Sequence, residues 1–273
     1  MAALDLNYEL VERFITLFIR EESLSNKLKK SVVGVSGGID SALVAALAVK
    51  ALGKKNVFGF ILPYKLSSNE STEDAVMMCK NLDISYEIID ISEIADSYFK
   101  HNPDIEKIRL GNYLSRTRMS ILFDKAREHD AIVLGTSNKS EIMLGYSTWY
   151  GDMAAGIYPI GDLYKTQVFA LSKYIGIPDK IVRKEPTADL WPGQRDEDEL
   201  GAPYKTLDEI LYCFIDERRK EEEIVSFGFD KEIVHNTIRR VYGTQFKRTL
   251  PPVAKFSART LGLDFLYPHD INR

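Results

Sequence analysis

Apolar and polar positions along this chain recur with two different periods. Leu6, Leu10, Val11, Phe14, Leu17 and Phe18 fall at helical spacing, which predicts an amphipathic first helix from Leu6 to Ile19. The β-branched run Ser31–Val35 predicts a strand, and the alanine- and leucine-rich Ser41–Leu52 a helix closed by Gly53. Val57–Leu62 predicts a second strand halted at Pro63, followed by a helix over Glu70–Leu82 with Ser67, Ser68 and Asn69 as cap candidates. Ile84–Ile91 predicts a third strand, Gly111–Arg127 a helix of basic character, and Ala131–Gly135 a fourth strand. This alternation implies βαβ units, hence an α/β fold with a mainly parallel, doubly wound sheet flanked by helices on both faces. Right-handed crossovers then line up the strand C-termini along one edge, where open α/β sheets bind ligands. Two polar turns, Ser36–Ser41 and Thr136–Glu141, fall on that edge.

Beyond about residue 160 the pattern becomes helical, with Lys165–Ile175, Thr206–Lys220 and Lys231–Tyr242 as predicted helices. Between the first two lies KEPTADLWPGQRDEDELGAPY, which has no periodicity and reads as either a disordered connection or a lid that orders on a ligand. The run Asp216–Glu223 reads as a solvated helix face. The whole, residues 1–273, reads as a single unit with an α/β core over about 31–165 and a helical C-terminal part.

Composition mainly removes options. With 273 residues, 45% hydrophobic and 28% charged, the chain has the make-up of a globular protein with a sizeable core. A net charge of −4 supplies no basic field for nucleic acid, so an anionic ligand must be held by local devices. The two cysteines, Cys79 and Cys213, form no C-x-x-C and look like core-facing helix residues. The four histidines lack metal-ligand spacing. No signal peptide and no stretch of membrane-spanning length is evident, which predicts a cytoplasmic protein without membrane attachment.

The turn SGGIDS, Ser36–Ser41, carries the first chemistry. It is no Walker A loop, because counting from Gly34 puts Ile39 and Asp40 where the glycine and lysine belong. The G-x-G-x-x-G spacing of a dinucleotide fingerprint is also absent. Gly37 and Gly38 let the backbone approach an anion, successive N–H groups at a helix start make a positive concavity, and Ser36 and Ser41 add hydroxyls. Asp40 would repel phosphate unless a cation stood between them, which predicts Mg²⁺. The plainer alternative is a tight glycine turn in which Ser36 or Asp40 caps the helix.

This six-residue turn resembles the pyrophosphate loop of the N-type ATP pyrophosphatases, a group that activates a substrate oxygen by adenylylation. Five further stretches in order, GNYLSRTRM, VLGTSNKSE, YGD, YPIGDLYKTQV and EPTADL, resemble the NAD⁺ synthetases over about Ser31 to Pro252. The resemblance implies a Rossmann-like fold of the adenine nucleotide alpha hydrolase type. It also implies ATP-dependent amidation of deamido-NAD⁺ to NAD⁺ with ammonia through an acyl-adenylate, the last step of NAD⁺ biosynthesis. By position it places Gly34, Val35, Ser36, Gly37, Gly38, Ile39, Asp40, Ser41, Thr136, Lys165 and Thr187 on ATP. Asp40 and Glu141 fall on Mg²⁺, and Arg116, Trp149 and Lys247 on deamido-NAD⁺. Ser36 and Asp152 stand with the reacting groups, Asp152 as the carboxylate that handles ammonia. A homodimer is implied too, with the first helix and Ser41–Leu52 as candidate surfaces. Trp149 replaces a common lysine, Gly156 a common aspartate, and Phe246 a histidine, all in regions the resemblance assigns to the dinucleotide.

Each residue has a plainer role: Thr136 can simply end a strand, Glu141 and Lys165 can be surface charge, Arg116 part of a basic face, and Asp152 a turn former. What favours chemistry is their convergence on one sheet edge. A glutamine-using enzyme needs an amidase domain with a cysteine nucleophile, and the sequence shows none, which predicts use of free ammonia unless a partner subunit supplies it. Other readings are the synthetase half of GMP synthetase, a tRNA-thiolating enzyme, which lacks its cysteine pairs here, and a silent adenine-nucleotide sensor, which would not need both Asp40 and Glu141.

Overall fold

The computed structural model describes residues 4–100, 105–187, 189–191 and 193–258. Four parallel strands form the sheet: β1 (Lys30–Gly34), β2 (Val57–Ile61), β3 (Ser85–Ile88) and β4 (Ala131–Leu134), in the order β3-β2-β1-β4. β1 lies at the centre, pairing Val32 with Phe58 on one side and with Val133 on the other. Its three middle residues are buried on both faces, so it reads as a continuous apolar run instead of an alternating one.

Helix α1 (Tyr8–Ser25), α2 (Ile39–Leu52), α3 (Asn69–Asn81) and α7 (Lys165–Ile175) pack over one face of the sheet. The other face is covered by α4 (Ser92–Phe99) and α5 (Lys107–His129), with Leu114, Ala126 and Ile91 in its core. The winding therefore changes direction between β1 and β4. Their C-terminal ends open a crevice there, the switch point at which this class of sheet binds ligands.

Nearly every residue of α2 is buried, because it lies between the sheet, α1 and α7. Its lack of a polar face follows from that position. The expectation that Ser41–Leu52 supplies an interface is thus corrected: the segment is interior. The first helix differs, leaving Leu10, Phe14, Leu17 and Leu24 exposed.

Three further expectations shift. The third strand ends at Ile88, although Ile89 and Ile91 still donate to Ile61 and Pro63; Asp90 then accepts from Ser92 N–H and turns the chain into α4. Within 184–204 the described residues are anchored to the fold and include the short helix α9 (Asp196–Leu200), after α8 (Asp179–Val182). The helix expected over Thr206–Lys220 is α10 (Tyr204–Leu211), continued by a π-helical turn over Tyr212–Asp216. The charged run is then a connector with Arg218 in the left-handed region (φ 56°), not one helix face. Its Glu221–Glu223 begin α11 (Glu221–Ser226), where acids complement the helix dipole. α6 (Lys139–Leu144) follows β4, and α12 (Lys231–Gly243) completes the helical part. Both cysteines are buried, as their helical positions suggest. No helix among the described residues is long and apolar enough to cross a membrane.

Candidate active site

The turn after β1 is held from beneath. Gly37 has φ 82°, and a Cβ there would come within 2.1 Å of the Ser71 carbonyl oxygen. Its lack of a side chain is therefore required twice, by conformation and by close approach to the first turn of α3. The Ser36 and Ser41 hydroxyls lie 3.1 Å apart, and the Ser41 hydroxyl donates to the Gly38 carbonyl at 3.0 Å. Val35 continues the sheet by donating to Phe60, and Gly34 packs on Leu122. Ile39 is buried beneath the turn.

Helix α2 starts from Gly38 with no side-chain cap. The Ser36 hydroxyl accepts from Gly38 N–H at 3.3 Å, so the plainer reading, in which Ser36 satisfies the helix start, holds for that residue, but Asp40 does not cap. Asp40 instead points across the crevice, accepting from Asn138 Nδ2 at 2.8 Å and from Lys165 Nζ at 2.6 Å. Lys165 also donates to Glu141 Oε1 at 3.0 Å. One ammonium, 3% exposed, thereby bridges two carboxylates from two different elements. Burial would depress the Lys165 pKa, but the two acids outweigh it and push it well above the usual lysine range. Burial raises Glu141 to about 7, against the pull of Lys165, and the Asp40 charge adds to the rise. The Tyr204 ring lies 5.3 Å from the Lys165 ammonium and backs it with a π face.

Asn138 orients this cluster, a role that the reading of the sequence does not assign. It caps α6 by accepting from Glu141 N–H, while the Glu141 carboxylate accepts from Asn138 N–H. The signal lies in the spacing: Asn138 and Glu141 stand as a capping box directly after a strand. Thr136, at the end of β4, is half-buried. Thr187 lies in the long loop, where its hydroxyl accepts from Asp189 N–H at 3.0 Å. That loop is moored to α3: Asp189 accepts from Ser68 N–H, and Lys184 donates to Ser71 Oγ at 3.0 Å and to buried Asp74 at 3.1 Å. It also passes over α5, where Leu190 leaves no room for a side chain at Gly111.

A second cluster surrounds the turn from Tyr146 to Asp152. Asp152 accepts from Ser115 Oγ at 2.9 Å and from Thr148 N–H at 2.8 Å. Asp152 is itself exposed. Partial burial of its carboxylate raises its pKa, with the hydrogen bonds pulling the other way. Arg116 donates to the Trp149 carbonyl at 3.2 and 3.3 Å. Lys247 donates to the carbonyls of Gly145 and Ser147, both at 2.7 Å. The Trp149 ring stacks on Tyr150 at 4.5 Å and meets Phe246 edge-on at 5.4 Å.

The structure thus brings Arg116, Trp149, Lys247 and Asp152 together, and explains one replacement by another: Phe246 packs against Trp149. It places Gly156 elsewhere. Gly156 donates to Val133, and a Cβ there would lie 2.5 Å from Ile132 and 3.2 Å from the Val133 carbonyl, so it is a packing position beside β4.

A family model described as NAD synthase matches residues 11–251. A protein of Trichlorobacter lovleyi named NH(3)-dependent NAD(+) synthetase is 45% identical over 270 residues, covering 99% of both chains. One of the same name from Chlorobaculum tepidum is 45% identical over 267 residues, covering 98% of this chain and 96% of that one. Among solved structures, the NH3-dependent NAD synthetase of Campylobacter jejuni superposes with a TM-score of 0.78 at 33% identity, over 92% of this chain and all (100%) of that one. An NMN synthetase from Francisella tularensis does so with a TM-score of 0.82 at 30% identity, again over 92% and 100%.

Proposed function

This chain belongs to the NAD synthase family and completes NAD⁺ by ATP-driven amidation of deamido-NAD⁺ with ammonia; from that premise we propose how its residues divide the work. The observation that carries the proposal is the meeting of Asp40, Glu141 and Lys165 at the switch point, one cation shared by two acids beside a glycine turn. The nicotinate carboxylate is a poor electrophile, because oxide would have to leave. Its oxygen attacks the α-phosphorus of ATP, pyrophosphate departs, and an acyl-adenylate forms. Ammonia then adds to the carbonyl carbon, and AMP leaves with the former carboxyl oxygen.

The backbone of Gly37 and Gly38 and the hydroxyls of Ser36 and Ser41 cradle the phosphates, preorganised for the charge that develops on pyrophosphate. Thr136 and Thr187 flank the nucleotide. Lys165 turns from its two carboxylates towards the phosphate oxygens when ATP enters. Mg²⁺ fits the residues present: Asp40 and Glu141 offer hard oxygens side by side, and Mg²⁺ is commonly held by one or two carboxylates plus substrate phosphates. Among the described residues no cluster of three or more acidic, histidine or cysteine side chains could hold a metal alone, so the two acids act together with the nucleotide. When bound, the metal neutralises charge on the departing phosphates.

Asp152, exposed and held by Ser115 and Thr148, receives a proton from ammonium or orients ammonia beside the carbonyl. Arg116 and Lys247 act on the dinucleotide through the turn they brace, presenting Trp149 as a stacking surface. The whole chain works as one unit. Its exposed stripe of Leu10, Phe14, Leu17 and Leu24 on α1 is where a second copy packs to form a homodimer. The loop of residues 187–204 closes over bound ATP, and protection of that segment from protease by nucleotide checks this.

A mass-balance assay tests the reading. With ATP, Mg²⁺, deamido-NAD⁺ and ammonium, NAD⁺, AMP and pyrophosphate appear in equal amounts; a chelator such as EDTA abolishes all three. Nicotinate mononucleotide, run beside the dinucleotide because of the NMN synthetase neighbour, is the poorer acceptor. AMP without NAD⁺, or turnover undiminished by the chelator, overturns the assignment.

A further inference from the structure

The helical C-terminal part holds a fully buried carboxylate, Asp208, for which the scheme above gives no role. Asp208 lies on α10, on the face where Tyr204, Leu207 and Leu211 are buried, and is itself 0% exposed. A buried carboxylate is costly unless hydrogen bonds satisfy it. Its donors are neutral and come from two different helix starts: Ser140 Oγ at 2.5 Å and Thr166 N–H at 2.8 Å.

Those donors are informative because of their neighbours. Ser140 precedes Glu141 at the start of α6, and Thr166 follows Lys165 at the start of α7. The Ser140 hydroxyl, while donating to Asp208, also accepts from Lys165 N–H at 2.9 Å. The three groups form a closed staple between the two helix starts that carry the site's acid and base. The negative charge sits at the first turn of α7, where the helix dipole favours it. One turn and a π bulge further on, Asp216 repeats the arrangement at the rim, accepting from Lys139 Nζ at 2.9 Å and Tyr164 OH at 2.5 Å. Lys139 and Tyr164 are the next residues out from Ser140 and Lys165. Each acid thus takes one donor from each helix start, and the inner one is fully buried.

We infer that Asp208 is a positioning residue for ATP activation: by stapling Ser140 to the start of α7 it sets the separation between the Glu141 carboxylate and the Lys165 ammonium. Asp216 is the outer, weaker member of the same clamp. This rests on the reading that Glu141 and Lys165 serve ATP. Helix α10 therefore acts on the chemistry without touching substrate, by fixing the geometry of two side chains it does not itself carry.

The test uses the full chain with D208N, S140A, D216N and E141Q, each followed by thermal melting and by steady-state kinetics in ATP and in deamido-NAD⁺. The amide in D208N keeps the size of the carboxylate and one acceptor, so this variant remains folded. It loses about 10- to 100-fold in kcat/KM for ATP, the usual effect of removing an orienting partner of an active-site group. Its KM for deamido-NAD⁺ stays that of the wild type. S140A changes the same parameter in the same direction, and D216N does so by no more than about a tenth as much. A lowered melting temperature with unchanged kcat and ATP KM would make the role purely structural and overturn the inference. Should D208N fail to fold, S140A decides by the same criterion. If E141Q retains full turnover, the ATP-site reading fails and the inference falls with it; if E141Q is inactive while D208N and S140A are wild-type, the inference alone fails.

Discussion

The two halves of the site are built differently. The half proposed to hold ATP stands on the ends of β1 and β4 and on three helix starts, and its charges satisfy one another: Lys165 faces Asp40 and Glu141, and Asn138 links the two acids. The half proposed for the dinucleotide stands on a turn. Its cations, Arg116 and Lys247, satisfy backbone carbonyls, and its rings, Trp149, Tyr150 and Phe246, form an aromatic cluster. The first half is thus preorganised for charge, the second for shape. Losses in the ATP half should appear in the chemical step, and losses in the other half in substrate affinity.

The largest break in that comparison comes from K165M. It strips the shared cation from two half-buried acids and removes the proposed contact to the phosphates, and lowers kcat by about 10²–10³-fold, as loss of one preorganised charge-stabilising group does; pyrophosphate release measures it. G37A acts on the same half through the backbone. The left-handed conformation and the overlap with the Ser71 carbonyl together cost about 2–5 kcal/mol, read as a shift in denaturant midpoint, and ATP affinity falls with it.

W149A tests the other half. It removes the stacking surface and the edge contact to Phe246, an effect of about 1 kcal/mol. It therefore raises the deamido-NAD⁺ KM about fivefold with kcat nearly unchanged; a fall in kcat at constant KM would erase the distinction between the halves. The smallest effect on stability comes from Asp152. Because its folded pKa is raised above the ordinary carboxylate value, the folded protein retains a proton that the unfolded chain has already released. Its contribution to stability therefore falls as pH rises from the unfolded value of about 3.9 through the raised folded value. D152N removes that slope, which denaturant titrations of both proteins across the acid range detect by difference.

Legibility in the sequence followed the same division. The half proposed for ATP was readable where its parts are local, in SGGIDS between a strand and a helix and in the polar turn Thr136–Glu141 after the next apolar run; Asn138, at capping-box spacing from Glu141, was not singled out. The arrangement of α2 was readable as a helix but not as an interior one, since an apolar helix fits a core and an interface equally well. The dinucleotide half was readable only as separate residues. Nothing local says that Lys247 reaches the Gly145 and Ser147 carbonyls, a contact across about one hundred positions of chain. Ser115 and Asp208 were missed for different reasons. Ser115 is one polar residue on a long, mixed helix. Asp208 did carry a signal, a carboxylate on the buried stripe of Tyr204, Leu207 and Leu211, which a helix can tolerate only with donors waiting for it. The break at Arg218 was hidden because a charged run without glycine or proline favours continued helix.

The contact between Gly37 and the Ser71 carbonyl has a consequence for anyone who would rebuild this site elsewhere. Transplanting Ser36–Ser41 onto a foreign parallel sheet would carry over the hydroxyls and amides but leave behind the surface they rest on. The graft would need the first turn of α3 at the same clearance, less than the width of a methyl group. That turn in turn is fastened by Lys184 and Asp189 from far along the chain. The smallest portable unit is therefore a loop with its pedestal and mooring lines, and a graft of the six-residue motif by itself should bind phosphate poorly however faithfully its letters are copied.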